Sequence, residues 1–263
     1  MSDSVLPSER LKKAARQRLI VAELSTAATV RTSDLAQRLG VSAETVRRDL
    51  EELTGRGVLN RTYGGASGRH VGVQPILDDR SGLAVGERQR IARRAAALVA
   101  AGDVVMIDSG STTTHFAHAL ARVADGITVL TNSFGVANAL VDQPAVRVIV
   151  CPGDFSARER GVYGPETIAF LNRFNADIAF IGASGLSADG PTDVETQACW
   201  VKRTMLSRAE RTVLLADSSK FDTKRLEVVC AWSALTDFVT DRAPADDLAR
   251  SLDAAGVSLA VAE

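Results

Sequence analysis

Cysteine is scarce in this chain of 263 residues: it occurs only at Cys151, Cys199 and Cys230, an odd number with no CxxC pair. Such usage suits a reducing compartment, where buried thiols behave as small hydrophobes. Long apolar runs are missing too. Nothing approaches the roughly 18 residues of a spanning helix, and Ala95 to Ala101 is a short stretch of a mixed helix. The opening MSDSVLPSERLKK lacks the apolar centre of a signal peptide, so the expected location is the cytoplasm. Charge of one sign is also absent. Lys and Arg number 31 against 32 Asp and Glu, a net of −1, which argues against a uniformly basic nucleic-acid binder. No repeat or low-complexity tract is visible. With 46% hydrophobic and 24% charged residues, the composition is that of a globular protein, not a disordered or rod-like one. The length fits one large domain, or a small one and a medium one.

What is present divides in two. Arg10 to Leu24 places Leu11, Ala14, Ala15, Leu19, Val21 and Leu24 on a helical stripe. Thr32, Ser33 and Asp34 open a second helix through Leu39, and Gly40 ends it because the turn needs a positive φ. Ser42 is a natural N-cap for a third helix, Ala43 to about Leu53. Val46, Leu50 and Leu53 face inward there, and Thr45, Arg47, Arg48 and Glu51 outward. Val58 to Tyr63 alternates like a strand ahead of Gly64-Gly65. Residues 67–86 accumulate Gly, Ser, Pro and Asp and read as a linker, giving a head over 10–66 and a body over 87–263. In the body, short β-branched runs recur at 104–107, 127–130, 146–150, 178–181, 212–216, 238–240 and 257–261, with helical stretches between most of them. Buried apolar strands alternating with helices predict a doubly wound, largely parallel α/β domain.

In the head, a helix, a Gly40-Val41-Ser42 turn, a further helix and a two-stranded wing make a winged helix-turn-helix. The second helix of that motif enters the major groove of DNA. Thr45, Arg47 and Arg48 stand where base edges and phosphates are reached, and arginine suits both tasks. Ser33 and Ser42 at the helix starts, with Arg61 and Tyr63 on the wing, complete the candidate DNA contacts. Taken alone, the arginine pair is better explained by solvation or by pairing with Glu44, Glu51 and Glu52. Its place in a complete motif favours DNA.

In the body, Asp108-Ser109-Gly110-Ser111-Thr112-Thr113 follows an apolar strand and opens a helix. Helix N-terminal N–H groups, the helix dipole and several hydroxyls make an anion cradle, with Gly110 permitting close approach. Simple capping would use the same residues, and no GxxxxGK[ST] loop is present. Polar loops recur after later strands: Asn132 and Ser133; Gly153; Gly182, Ser184 and Gly185; then Asp217-Ser218-Ser219-Lys220. Ligands in open α/β sheets bind beyond the carboxyl ends of strands, so these loops point to one crevice with Lys220 as its cation. Lys202 is a weaker candidate. His115 and His118 lack the third ligand that zinc wants, and no HExxH accompanies them, so neither a metal nor a cofactor is expected.

The run from Thr32 to Leu50, TSDLAQRLGVSAETVRRDL, together with Tyr63-Gly64-Gly65-Ala66, resembles the DeoR family of bacterial transcriptional regulators. The likeness extends over nearly the whole chain. It implies that the segment TVRRDL, from Thr45 to Leu50, is the recognition helix and that Gly64-Gly65-Ala66 closes the wing, with Tyr63 where the family commonly has histidine. It also implies a sensor body whose fold resembles ribose-5-phosphate isomerase and which binds a phosphorylated sugar or polyol. Asp108–Thr113 then stand for the family's DSGTTT, Thr131–Ser133 for TNS, and Asp217, Ser219 and Lys220 for D-S-K. Pro152-Gly153-Asp154, Gly182-Ala183-Ser184-Gly185 and Ala198 depart from the family's GGE, its GADG and an acid four before the lysine. No particular sugar is therefore named.

The favoured function is a repressor of a carbohydrate or polyol catabolic operon, released from its operator by a phosphorylated effector. The alternatives are an activator of the same family and a sugar-phosphate isomerase with an accessory DNA-binding head. Isomerisation needs a general base near the substrate carbons, and Ser184 stands where an acid would. The charge fits a two-part protein: residues 1–69 carry 12 Lys and Arg against 8 Asp and Glu, a net of +4, and the rest of the chain carries −5. So modest a basic head predicts affinity from paired heads, in a homodimer or larger assembly on double-stranded DNA.

Overall fold

The computed structural model describes residues 13–26, 29–55, 59–62, 64–67, 74 and 76–263. The chain divides into two compact units, Met1–Pro75 and Ile76–Glu263. Among the described residues no helix is long and apolar enough to cross a membrane.

The smaller unit holds α1 (Lys13–Thr26), β1 (Thr29–Arg31), α2 (Thr32–Leu39), α3 (Ala43–Gly55), β2 (Asn60–Thr62) and β3 (Gly65–Ser67). Its core is built from Ile20, Leu24, Leu35, Val46, Leu50, Leu53, Leu59 and Ala66. The inner face of α3 is as its spacing predicts. On α1 the stripe is shifted: Ile20 is buried and Leu19 exposed. Apolar residues at 19, 20 and 21 allow either phase, and packing against α3 selects Ile20. Leu11 lies outside the described residues. Gly40 ends α2 at φ +62, and Ser42 Oγ accepts from the Thr45 N–H at 3.2 Å to start α3. A third strand joins the wing, since β3 pairs antiparallel with both β1 and β2. Gly64-Gly65-Ala66 therefore leads into the central strand of a small sheet instead of ending the wing. A Cβ on Gly65 would lie 2.0 Å from the Val30 carbonyl oxygen, so only glycine fits.

The larger unit runs α4 (Leu77–Ser81), α5 (Val85–Ala96), β4 (Val104–Ile107), α6 (Ser111–Leu120), β5 (Ile127–Thr131), α7 (Phe134–Leu140) and β6 (Val146–Val150). It continues with β7 (Asp154–Ser156), β8 (Gly161–Tyr163), α8 (Pro165–Leu171), β9 (Ala176–Gly182), β10 (Gly185–Ser187), β11 (Gly190–Asp193) and α9 (Thr196–Ser207). It closes with β12 (Ala209–Leu215), β13 (Glu227–Val228), β14 (Asp237–Thr240), α10 (Asp246–Ala254) and β15 (Ser258–Val261). Seven strands form one parallel sheet in the order β15-β14-β12-β9-β4-β5-β6. Alternate strand residues pack on opposite faces, as the pleat requires. Val105, Ile107, Val129 and Phe180 join Ile91 of α5, Phe116 of α6 and Val136 of α7 on one side. Met106, Leu130 and Ala179 join Leu171 of α8 and Val201 of α9 on the other.

Two features of this unit differ from the sequence expectation. Part of the stretch read as linker is ordered here: α4 buries Leu77 and Arg80, and the Leu77 N–H donates to the Arg158 carbonyl at 3.1 Å. Short antiparallel pairings, β7 with β8 and β11 with both β10 and β13, lie outside the seven-stranded sheet. These position part of the site.

Candidate functional site

On the head, α3 exposes Arg47 and Arg48. Both reach toward Glu44, Arg47 Nη1 at 3.5 Å and Arg48 Nε at 3.4 Å. Exposed pairs of this spacing are worth about 0.3–0.5 kcal/mol, so little holds either guanidinium back from a phosphate. Glu52 pairs with Lys13 instead. Ser42 is exposed and Thr45 partly so, their hydroxyls 2.9 Å apart. Ser33 is exposed and donates to Asp34 at 3.0 Å. Arg61 lies on β2 opposite Ala66, with its side chain outside the described part, and Tyr63 lies outside the described residues. Asp49 faces the other way. It is buried and takes both Arg16 Nε and, at 3.1 Å, Arg16 Nη2, a hydrogen-bonded pair that raises the Arg16 pKa. That pair fixes α3 against α1.

In the body, the strand order reverses between β4 and β9, and the cleft opens at their carboxyl ends. This is the place where open α/β sheets hold ligands. Asp108, the first residue after β4, joins the two strands: its N–H donates to the Phe180 carbonyl, and both its carboxylate oxygens lie 3.2 Å from the Gly182 nitrogen. The cleft is lined by Ser109, Gly110, Ser111 and Thr112 from the α6 start, and by Gly182, Ala183 and Ser184 after β9. Lys220 after β12 and Arg80, Glu159, Tyr163, Asp193, Glu195, Ala198 and Lys202 complete it. Gly110 gives α6 no side-chain cap, so the first-turn N–H groups have no such acceptor and face an anion's natural position. Gly110 is extended at φ −177, so its value is not left-handed freedom; a Cβ there would come within 3.1 Å of Thr113 Oγ1.

Charged groups are ion-paired on one side of this cleft and not on another, where Lys220 is half-buried. Lys202 Nζ lies 2.7 Å from Asp193 Oδ2 and 3.2 Å from Asp108 Oδ2. Burial disfavours its ammonium, yet the two carboxylates hold its pKa above the ordinary value. Burial likewise opposes ionisation of Asp193, but Lys202, Ser184 and the Val194 N–H outweigh it, and its pKa falls. For Asp108 burial wins and the pKa rises. Lys220 differs. Asp217, the acid whose charge acts on it, is committed to Arg88 Nε at 3.0 Å and to Ser219. Lys220 has no ion-pair partner among the described residues, and burial, only partly offset by Asp217, brings its pKa down to about 8.

Several residues expected at the crevice serve as its supports. Thr113 is fully buried and donates to the carbonyls of Asp108 and Gly110 at 2.9 and 3.1 Å. Asn132 donates to the Val162 carbonyl at 3.0 Å, and Ser133 caps α7 by accepting from Val136. Gly153 sits where a Cβ would strike Thr167 and Tyr163, and Gly185 where it would strike the Thr223 carbonyl. Asn132, Ser133 and Gly153 follow β5 and β6, one and two strands beyond the switch point, and each strand adds about 4.8 Å. None of the three is among the residues that line the cleft. His115 does not line it either; burial and then Arg88 lower its pKa. Among the described residues no group of three or more His, Cys, Asp or Glu is placed to hold a metal.

Sequence reading missed Arg80, Glu159, Tyr163, Asp193 and Glu195. They come from four separate stretches, and no local pattern joins them. Lys202 did carry a signal: it shares a helical stripe with Ala198, Cys199, Met205 and Leu206, all buried. A lysine on an apolar stripe needs a buried partner.

Comparison with known proteins agrees with both halves. Residues 16–70 match the DeoR-like helix-turn-helix domain and residues 84–242 the DeoR C terminal sensor domain. The chain is 29% identical over 235 residues to the glycerol-3-phosphate regulon repressor of Escherichia coli strain K12, covering 89% of this chain and 93% of that protein. It is 32% identical over 235 residues to the L-fucose operon activator of Haemophilus influenzae, covering 89% and 94%. It is also 32% identical over 236 residues to the HTH-type transcriptional repressor GlcR of Bacillus subtilis strain 168, covering 89% and 90%. Ribose 5 phosphate isomerase A of Neisseria gonorrhoeae aligns with a TM-score of 0.39 at 20% identity, over 52% of this chain and 53% of its own. With one model spanning residues 84–242 and transcriptional regulators as its relatives, the chain belongs to the DeoR family: it is a DNA-binding transcriptional regulator, not a sugar-phosphate enzyme.

Proposed function

We propose that the protein represses a carbohydrate or polyol catabolic operon and leaves its operator when a phosphorylated sugar or polyol enters the cleft of the body. The supporting observation is Lys220. It is a cation with no ion-pair partner among the described residues, in a cleft that also holds the uncapped start of α6. An ammonium, helix N–H groups and the hydroxyls of Ser109, Ser111 and Thr112 make one anion site. Two of the relatives compared above are named as repressors and one as an activator, and repression is the reading adopted. The head over 10–66 would read DNA through Ser33, Ser42, Thr45, Arg47, Arg48, Arg61 and Tyr63, with 67–86 as connection and 87–263 as sensor and oligomerisation domain.

Release is linkage between two binding equilibria. The effector must bind the DNA-free arrangement more tightly, and DNA must weaken effector binding by the same factor. Two half-sites require at least a homodimer, acting in the cytoplasm. A screen of phosphorylated sugars and polyols by thermal shift, followed by release from upstream DNA, tests this. A ligand that raises Tm and releases the DNA is expected. No shift with any phosphate ester would overturn the cleft assignment.

A further inference from the structure

Among the described residues, three buried side-chain polar atoms have no hydrogen-bond partner: Asn132 Oδ1, Glu159 Oε1 and Thr240 Oγ1. Of these residues only Glu159 lines the cleft. Its side chain is 8% exposed. Oε2 accepts from Arg80 Nη2, whereas Oε1 has no donor. Arg158 Nε, at 3.9 Å, is beyond hydrogen-bond reach. Native proteins rarely leave a buried acceptor in this condition, and a charged one is the costliest to leave.

The loop that carries Glu159 is fixed at several points. Ser109 Oγ donates to the Glu159 carbonyl at 2.8 Å, and the Phe134 N–H donates to the Arg160 carbonyl at 3.0 Å. Arg160 stands at φ +47, a left-handed conformation that a non-glycine residue keeps only where its surroundings impose it. The open oxygen is therefore held in place. Asp193 cannot take its role: Oδ1 accepts from Ser184 and Val194, and Oδ2 from Lys202.

Resting on the reading of the cleft as the effector site, we propose that Glu159 is a specificity-determining residue whose Oε1 accepts a hydrogen bond from a hydroxyl of the effector. A carboxylate accepts and repels phosphate, so it also fixes which end of the ligand lies at Lys220 and α6. The cleft then selects phosphate monoesters that carry hydroxyls over plain alkyl phosphates. A hydrogen bond to a charged group corresponds to about 10- to 100-fold in affinity.

Calorimetry on the full chain with propyl phosphate, glycerol 3-phosphate, ribose 5-phosphate and glucose 6-phosphate tests this. The best hydroxylated ester is expected to exceed propyl phosphate by about 10- to 100-fold in the wild type. Glu159→Gln should lower that ratio, because the amide oxygen must serve Arg80 and its N–H₂ offers the hydroxyl only a neutral hydrogen bond where the charged acceptor stood. Glu159→Asp keeps the charge for Arg80 but withdraws the oxygen, so it should also lower the ratio and covers a failure of the first variant to fold. An unchanged ratio in the variants overturns the proposal, as does a wild type that binds propyl phosphate equally well. A wild type that binds no phosphate ester, propyl phosphate included, overturns the anion site itself and this proposal with it.

Discussion

Lys202 Nζ lies 2.7 Å from Asp193 Oδ2, and both side chains are almost wholly buried in the lining of the cleft. Removing one partner of such a pair leaves an uncompensated charge. Lys202→Met is expected to destabilise the body by about 3–5 kcal/mol in urea unfolding, because Asp193 and Asp108 both lose their cation. A loss under 1 kcal/mol would mean that the pair contributes little.

Asp49 and Arg47 sit on the same helix with different duties, and variants separate them. Asp49→Ala takes from Arg16 its buried hydrogen-bond acceptor, so head stability should fall by about 1–3 kcal/mol, with operator binding weakened through unfolding. Arg47→Ala should leave the circular dichroism spectrum and melting of the head unchanged. Its affinity for upstream DNA should weaken, and the salt slope should fall by about one if the contact is to phosphate. Unchanged affinity would remove Arg47 from the interface.

Lys220 gives the cleft a pH dependence. Its folded-state pKa of about 8 lies below the ordinary 10.5 of a lysine, because burial disfavours the ammonium. Between those values the unfolded chain holds a proton that the folded chain has released. Stability of the ligand-free protein should therefore gain a contribution that is full above 10.5 and lost as pH falls through about 8. Effector affinity should run the other way, falling as pH rises past about 8. Lys220→Arg should flatten that fall, since a guanidinium keeps its charge. Calorimetry at pH 7 and pH 9.5 would read it, and equal affinity at both would contradict the role of Lys220.

The residues that were legible beforehand share one property: each signal is local. Each of the seven sheet strands holds a short, mostly apolar run, and Ser109 to Thr112 form a contiguous cradle behind one of them. Val46, Leu50 and Leu53 repeat at helical spacing, with Ser42 and Gly40 as punctuation. Arg80 from α4, Glu159 from a turn and Asp193 from the end of β11 meet only in the folded body, and no local pattern marks any of the three. The strands β7, β8, β10, β11 and β13 run two to four residues, too short for a period of two to show. In α1, three adjacent apolar residues left the phase open, and only the packing of α3 resolves Ile20 from Leu19.

DNA at the head and a phosphorylated ligand in the body are expected to be coupled through one chain. The most direct measurement titrates labelled upstream DNA with the full chain at fixed salt, with and without a phosphorylated sugar or polyol already shown to bind. The expected result is a weakening of DNA affinity by about 5- to 150-fold, abolished in Lys220→Met. Unchanged DNA affinity with the cleft demonstrably occupied would contradict the account.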